Sequence, residues 1–262
     1  MKFDGYYFKH QNEKNTIAFI PGIADGCRFI QVVTDDKAYW FDGFGKCRFS
    51  DKGAIIDIQN DEVCIKGQIR YGKLTPLKYD IMGPFKYFPM ECRHGIISMR
   101  HKLCGWVSIN GKTTDFSSGL GYIEKDSGVS FPKSYLWMQC NFMRNCSVSV
   151  SVADIPFMGL RFKGCICVVY YKGREYRLAT YLGVRVLCCN SERVVLKQGR
   201  YVLVVNVSPQ KGHRLPAPQN GKMSRIITEC LACPARVRFF EKGRLLFDLR
   251  SDRASFEVST NL

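Results

Sequence analysis

The chain has 262 residues, 46% of them hydrophobic, which suits one large or two small β domains with an ordinary core. Its 39 basic and 23 acidic residues leave a charge of +16, but the bases are scattered and no nucleic-acid reader motif occurs, so nucleic acid is excluded as a partner. No apolar run reaches the roughly 18 residues of a spanning helix, and nothing reads as disordered.

The hydrophobic period is two nearly everywhere. Residues 17–20, 29–33 and 37–41 are short β-rich runs parted by Gly, Asp or Pro. Val63, Ile65, Gly67 and Ile69 alternate with polar neighbours, the pattern of a half-buried strand. Residues 74–88, rich in Pro, Gly and aromatics, read as a loop that packs. Asn110-Gly111 between two alternating runs predicts a type I′ hairpin. Residues 147–152 alternate strictly and predict a strand with a Val face. The stretch 153–162 holds Pro156 and Gly159 and marks the junction of two domains, 1–155 and 156–262. Beyond it, hairpins are expected at Lys172-Gly173 and Lys242-Gly243, and residues 209–221 form the longest polar, Pro-rich loop. No window shows an amphipathic helix. The fold class is therefore all-β, with two antiparallel barrel-like or sandwich domains.

The first residues carry neither an apolar signal core nor an Arg/Ser-rich leader, which gives the expectation of a cytoplasmic, bacterial-type protein. Thirteen cysteines without a secretory signal predict free thiols in a reducing compartment. Cys230-Leu-Ala-Cys233 lacks a second ligand pair, so no metal site is predicted from it. The basic surface fits either peripheral contact with an anionic membrane or plain solubility.

The stretch from Gly119 to Asn141 concentrates the chemistry. Read as extended chain, Tyr122, Glu124 and Asp126 share one face, with Ile123 and Lys125 on the other. After Gly128 and Pro132, Trp137, Gln139 and Asn141 point one way, and Leu136, Met138 and Cys140 point into a core. The polar face with its Trp fits a lined cavity; a solvent-facing edge is the other reading.

These residues also carry a resemblance. Tyr122, Glu124, Lys125, Asp126, Gly128, Phe131, Pro132, Trp137, Gln139 and Asn141 stand in an order that resembles the central motif of the tocopherol cyclase family. Ser127 and Tyr135 stand where that motif favours Trp. Weaker likenesses lie at 4–10, 17–22, 90–95 and 215–223, with Glu229 beyond. The resemblance implies a pair of lipocalin-like β domains, as in carotenoid hydratases and lipocalin-like Diels–Alderases, with a ligand cavity near their junction. It also implies a cofactor-free cyclisation, in which the phenol oxygen of a prenylated quinol adds across an alkene. Such chemistry needs a carboxylic acid whose pKa is raised by burial or a like charge, and rings that stabilise a cation. Glu124 is then the acid, tuned by Asp126, with Glu91 and His94 as further acid and base candidates. Tyr122 would hydrogen-bond the quinol, Trp137 would line the tail or face the cation, and Gln139 and Asn141 would orient a ring oxygen. A non-catalytic carrier of a hydrophobic ligand, and a membrane-surface interaction protein, are the competing expectations.

Overall fold

The computed structural model describes residues 2–157 and 159–259. The first ten strands are β1 (Phe3–Gln11), β2 (Thr16–Ala24), β3 (Cys27–Thr34), β4 (Ala38–Asp42), β5 (Arg48–Ser50), β6 (Gly53–Gln59), β7 (Cys64–Tyr71), β8 (Cys92–Ile109), β9 (Lys112–Asp115) and β10 (Leu120–Gly128). The next ten are β11 (Tyr135–Phe142), β12 (Cys146–Phe157), β13 (Leu160–Tyr171), β14 (Arg174–Ala179), β15 (Arg185–Cys189), β16 (Arg193–Gln198), β17 (Tyr201–Val207), β18 (His213–Gln219), β19 (Lys222–Glu241) and β20 (Arg244–Ser259). Two short 3-10 turns, Gly83–Tyr87 and Thr180–Leu182, complete the described elements.

The strands form two antiparallel lipocalin-like sheets. The first runs β4-β3-β2-β1-β10-β8-β7-β6-β5, with β9 on β8; the second runs β14-β13-β12-β11-β20-β19-β17-β16-β15, with β18 on β19. Two-residue turns set the registers. Asn110 and Gly111 both have positive φ, 49° and 84°, as a type I′ turn demands. Lys172-Gly173 and Lys242-Gly243 adopt the same sign pattern, as expected. So do Asp25-Gly26 and Asn220-Gly221, two further turns.

Each sheet curls around its own apolar cluster. Phe8, Phe19, Ile30, Phe41, Ile56 and Ile65 bring near-edge and central strands of the first sheet together. Leu136, Met138, Val150, Leu196, Val205 and Phe239 do so in the second. A third cluster, with Tyr7, Met99, Tyr122, Trp137, Val168 and Leu231, lies where the sheets meet.

Three expectations need correction. The barrels are not closed by a backbone ladder: among the described residues β4 and β5 do not pair, nor do β14 and β15. The three-residue β5 and the turn after β14 offer too little ladder, and side chains span the gaps instead. Asn60 Nδ2 donates to Trp40 O at 3.3 Å. Gln198 accepts from Ala179 N and donates to Arg177 O, both at 2.9 Å. Second, the chain changes sheet at 129–134, not at 153–162. In the latter stretch β12 and β13 pair out to Phe157 and Leu160 around a turn; Met158 lies outside the described residues. Pro156 marks the end of a hairpin there, not a boundary between sheets. Third, 209–221 is not all loop. Its β18 pairs with β19 alone, and such an edge position tolerates Pro216 and Pro218 because their missing N–H groups break no second ladder.

Candidate active site

The 119–141 stretch gives an interior strand to each sheet: β10 lies between β1 and β8, and β11 between β12 and β20. Alternation sends Leu136, Met138 and Cys140 into the second sheet's core and Ile123 into the first's. The opposite side chains face one another where the sheets meet. The register of β10 against β8 shifts at Gly121–Ile123 and again at Ile123–Glu124. Such bulges bend a strand and re-aim its side chains. Past them, Asp126 stands opposite His94.

A cavity of about 180 Å³ lies between the sheets, lined largely by apolar side chains such as Phe29, Met82, Phe85, Phe131 and Ile227. An engineered cavity of about 150 Å³ holds benzene, so an aromatic ring fits a space of this size. Into it point the carboxyl groups of Glu124, Asp126, Glu229 and Glu257, with His94, Tyr7, Tyr135 and Trp137 among the other lining residues.

Glu124 is 4% exposed. Its Oε2 accepts hydrogen bonds from Tyr122 Oη at 2.5 Å and Trp137 Nε1 at 3.2 Å, with His94 Nε2 3.7 Å away. The other ring nitrogen, Nδ1, meets Asp126 Oδ1 at 2.8 Å. Burial pushes Glu124 up; the His94 charge opposes this and Asp126 adds to it, leaving a pKa of about 7. For His94, burial pulls the other way, but the Asp126 and Glu124 carboxylates outweigh it and raise the imidazole to about 9. The imidazole is thus held in its charged form beside the Asp126 carboxylate, while burial makes Glu124 far readier to keep its proton than an exposed carboxyl.

Glu229 on β19 reaches the same cavity. Tyr7 Oη donates to its Oε1 and lies 3.3 Å from Ser255 Oγ. Burial raises Glu229 to about 7 against the pull of Tyr7 and Lys9. Lys9 is fully buried, its Nζ donating to Gln139 Oε1 at 3.1 Å and Arg253 O at 2.7 Å. Burial lowers this amine to about 8. Glu257 accepts from Tyr135 Oη, and burial, with Asp126 and Glu124 adding to it, holds its carboxyl well above the usual range.

His94, Glu124 and Asp126 offer metal-ligand atoms within 4.8 Å of one another. The two carboxylates, however, address opposite ring nitrogens. With Asp126 hydrogen-bonded to Nδ1 and Glu124 beside Nε2, the trio is arranged as a proton-transfer relay.

The structure brings Glu124, Asp126, His94 and Trp137 together as expected. It moves four other residues. Glu91 is exposed, one residue before β8; alternation puts Cys92 and His94 on the cavity side and Glu91 outside. Tyr122 is fully buried behind Glu124 and lines no part of the cavity, so it holds the carboxyl, not a ligand. Gln139 and Asn141 are also outside the lining. A strand advances about 3.3 Å per residue, so they lie roughly 7 and 13 Å beyond Trp137. There Gln139 accepts from Lys9, and Asn141 Nδ2 donates to Gly121 O at 3.2 Å, tying the sheets together. Of the two motif departures, Ser127 does not line the cavity, whereas Tyr135 does and donates to Glu257. Glu229, Glu257 and Tyr7 gained no role from sequence. The one signal was an acidic residue inside an apolar run, as in Ser-Phe-Glu257-Val.

The family described as tocopherol cyclase-like matches residues 41–260. A rice protein (Oryza sativa subsp. japonica) named as a chloroplastic tocopherol cyclase is 22% identical over 209 residues, 72% of this chain and 44% of that protein. The maize (Zea mays) tocopherol cyclase is 26% identical over 122 residues, 43% of this chain and 25% of its own length. The chain thus spans less than half the length of these relatives. Among solved structures, CghA superposes with a TM-score of 0.62 at 8% identity, covering 99% of this chain and 88% of CghA. Kievitone hydratase from Nectria haematococca gives 0.57 at 9% identity, covering 99% and 89%. At such identities the structures speak to the fold alone, and the fold they share is this pair of antiparallel sheets. Function has to rest on the site, but descent does not: with the family pattern running through both sheets, the chain belongs to the tocopherol cyclase-like family.

Proposed function

We propose that the protein is a cyclase that closes a prenylated quinol, or a similar hydrophobic polyene, inside the cavity between the sheets, without a cofactor. The observation that carries this reading is Glu124: a buried carboxyl with a pKa near 7, aimed into an apolar space. A general acid works best when its pKa lies near the operating pH, because it is then both protonated and willing to give the proton up. Glu257, held higher, is the weaker acid of the two.

In the proposed reaction Glu124 gives its proton to the less substituted alkene carbon, leaving a tertiary cation. The Trp137 and Tyr7 rings, whose centroids lie 5.3 Å apart, offer electron-rich faces to that cation. The phenol oxygen attacks the cation and forms the new C–O bond. Glu229, ionised with help from Tyr7 and the Lys9 charge, takes the phenol proton. The two carboxyls then exchange protons with solvent, so the reaction is an isomerisation with no net proton change. Tyr122 and Trp137 fix the Glu124 carboxyl, and the His94–Asp126 pair supplies the positive charge that steadies the carboxylate left behind.

Glu124→Gln tests the proposal. The amide keeps the shape but carries no acidic proton. Turnover of a prenylated hydroquinol should fall by roughly 10²–10⁴ while ligand affinity changes little. A carrier of hydrophobic molecules, which the apolar lining would also serve, predicts equal binding in both proteins and no product in either. Equal turnover in wild type and variant would remove Glu124 from the mechanism.

A further inference from the structure

An apolar ligand has to reach a cavity built mostly of apolar side chains, and three of those side chains mark one place on the surface. Phe85, Phe162 and Tyr181 line the cavity and are themselves only partly buried. They come from three segments that touch: the 3-10 turn Gly83–Tyr87, the start of β13, and the turn Thr180–Leu182. The Phe85 and Phe162 rings stack at 5.9 Å, and a Cβ on Gly83 would lie 2.6 Å from the Tyr181 ring. Tyr181 Oη also donates to Ile81 O at 3.0 Å.

Within three residues of each of these wall side chains, large apolar side chains face outward. Tyr87 and Phe88 follow Phe85, Leu160 precedes Phe162, and Leu182 follows Tyr181. Tyr87 is 79% exposed and Leu160 76%. Lysines accompany them: Lys86 stands between Phe85 and Tyr87, its ammonium 4.9 Å over the Tyr87 ring, Lys163 follows Phe162, and Lys78 lies five residues before the Gly83 turn. None of the three lysines is engaged in an ion pair among the described residues, while nearby Asp154 is taken up by Arg161 at 2.7 Å. Exposed apolar side chains gathered at one place, here beside the cavity wall, mark an interaction surface, whereas singly scattered ones carry no such meaning.

We infer that this rim is a docking surface for an anionic lipid bilayer, with Tyr87, Phe88, Leu160 and Leu182 entering the interface and Lys78, Lys86 and Lys163 meeting lipid headgroups. Tyrosine suits that depth, with an apolar body and a polar tip. The lysines beside the apolar tips give the pairing of apolar burial and headgroup attraction that interfacial segments use. The overall charge of +16 has the sign such a membrane attracts. Docked in this way, the rim would let a hydrophobic molecule pass from lipid to the cavity wall without crossing water. The inference rests on the cavity taking a hydrophobic ligand but not on the reaction proposed for it.

Vesicle flotation tests it without any substrate, so its outcome is separate from the Glu124→Gln turnover result. The full chain is mixed with vesicles of phosphatidylcholine, alone or with phosphatidylglycerol, at low and high salt. Wild type should float with the phosphatidylglycerol vesicles and less so in high salt. Tyr87→Ser combined with Leu160→Ser should lower that partition at least about tenfold with an unchanged circular dichroism spectrum, since both side chains stand in solvent. Lys86→Glu with Lys163→Glu should weaken binding to the anionic vesicles only. Trp106→Ser, which removes an exposed aromatic that lines no part of the cavity, should leave binding as it was. Wild type that stays with the soluble fraction overturns the inference, as does a Tyr87/Leu160 variant that floats as well as wild type. A concentration-dependent dimer that the same variant abolishes, without vesicle binding, overturns it too and makes the rim a contact between copies of this chain.

Discussion

Glu124 shows how one carboxyl is set by its surroundings. The sequence placed it two residues from Asp126 and left burial and the like charge as alternative reasons for a raised pKa. In the folded chain burial is the larger cause, and His94 partly offsets it. The raised value has a consequence for stability. Between its ordinary 4.5 and about 7, the folded protein holds a proton on Glu124 that the unfolded chain has lost. Folding is therefore progressively penalised as pH rises through that window, and the penalty is constant above it. At about 1.4 kcal/mol per unit the full penalty is on the order of 3–4 kcal/mol. Glu124→Gln cannot ionise, so its stability relative to wild type should climb from pH 4.5 to 7 by an amount of that order and then level off. Urea unfolding of both proteins at a series of pH values measures this difference. Parallel profiles would mean that Glu124 titrates normally.

At the scale of elements, β10 carries the site because two register shifts against β8 bring His94 opposite Asp126. The strand passes close to its neighbours. A Cβ on Gly121 would stand 2.2 Å from Nε2 of the buried His101. His101 is in turn held by Ser98 Oγ at 3.0 Å and packed at 4.5 Å against the Tyr71 ring, so it has little room to yield. Gly121→Ala should cost about 1–3 kcal/mol in urea unfolding through overpacking. Because Asn141 donates to the Gly121 carbonyl, the same substitution should loosen the contact between the sheets and weaken ligand retention. A variant as stable as wild type would show that His101 turns aside freely. The sequence marked Gly121 only as one glycine in a Gly-Leu-Gly-Tyr run; the imidazole that makes it necessary lies twenty residues earlier.

For the molecule as a whole, the two sheets meet through the cavity cluster and through buried polar ties such as Lys9 with Gln139. The cysteines report on this packing. All thirteen are free thiols, with Cys140, Cys146, Cys165, Cys167, Cys230 and Cys233 buried and Cys27 and Cys104 exposed. Titration of the unreduced protein should count close to thirteen thiols in denaturant. In native buffer Cys27 and Cys104 should react first and the six buried thiols should be protected. A low count in denaturant would instead mean that pairs form, and would argue against a reducing compartment. Among the described residues no helix is long and apolar enough to cross a membrane.

The sequence by itself determined the all-β class, many of the strands, three of the tight turns and half of the site. Side-chain alternation is local, so the shared face of Tyr122, Glu124 and Asp126 and the core face of Leu136, Met138 and Cys140 followed from period two alone. The demand for positive φ is equally local, and Asn110-Gly111 met it as a turn. What only the tertiary structure decided was everything that depends on separate strands meeting. Alternation gives a side chain's face but not its distance along the strand from the cavity, so Trp137, Gln139 and Asn141 looked equivalent although only Trp137 reaches it. Glu229 and Glu257 enter from strands about a hundred residues later in the chain, and Tyr7 from one more than a hundred residues earlier. An acidic residue in an apolar run, as at Glu257, hints at burial but not at which strands it meets. Their pKa values, and the rim of Tyr87, Leu160 and Leu182 beside the cavity, arise from burial and exposure, which are properties of the packed sheets and not of any one segment.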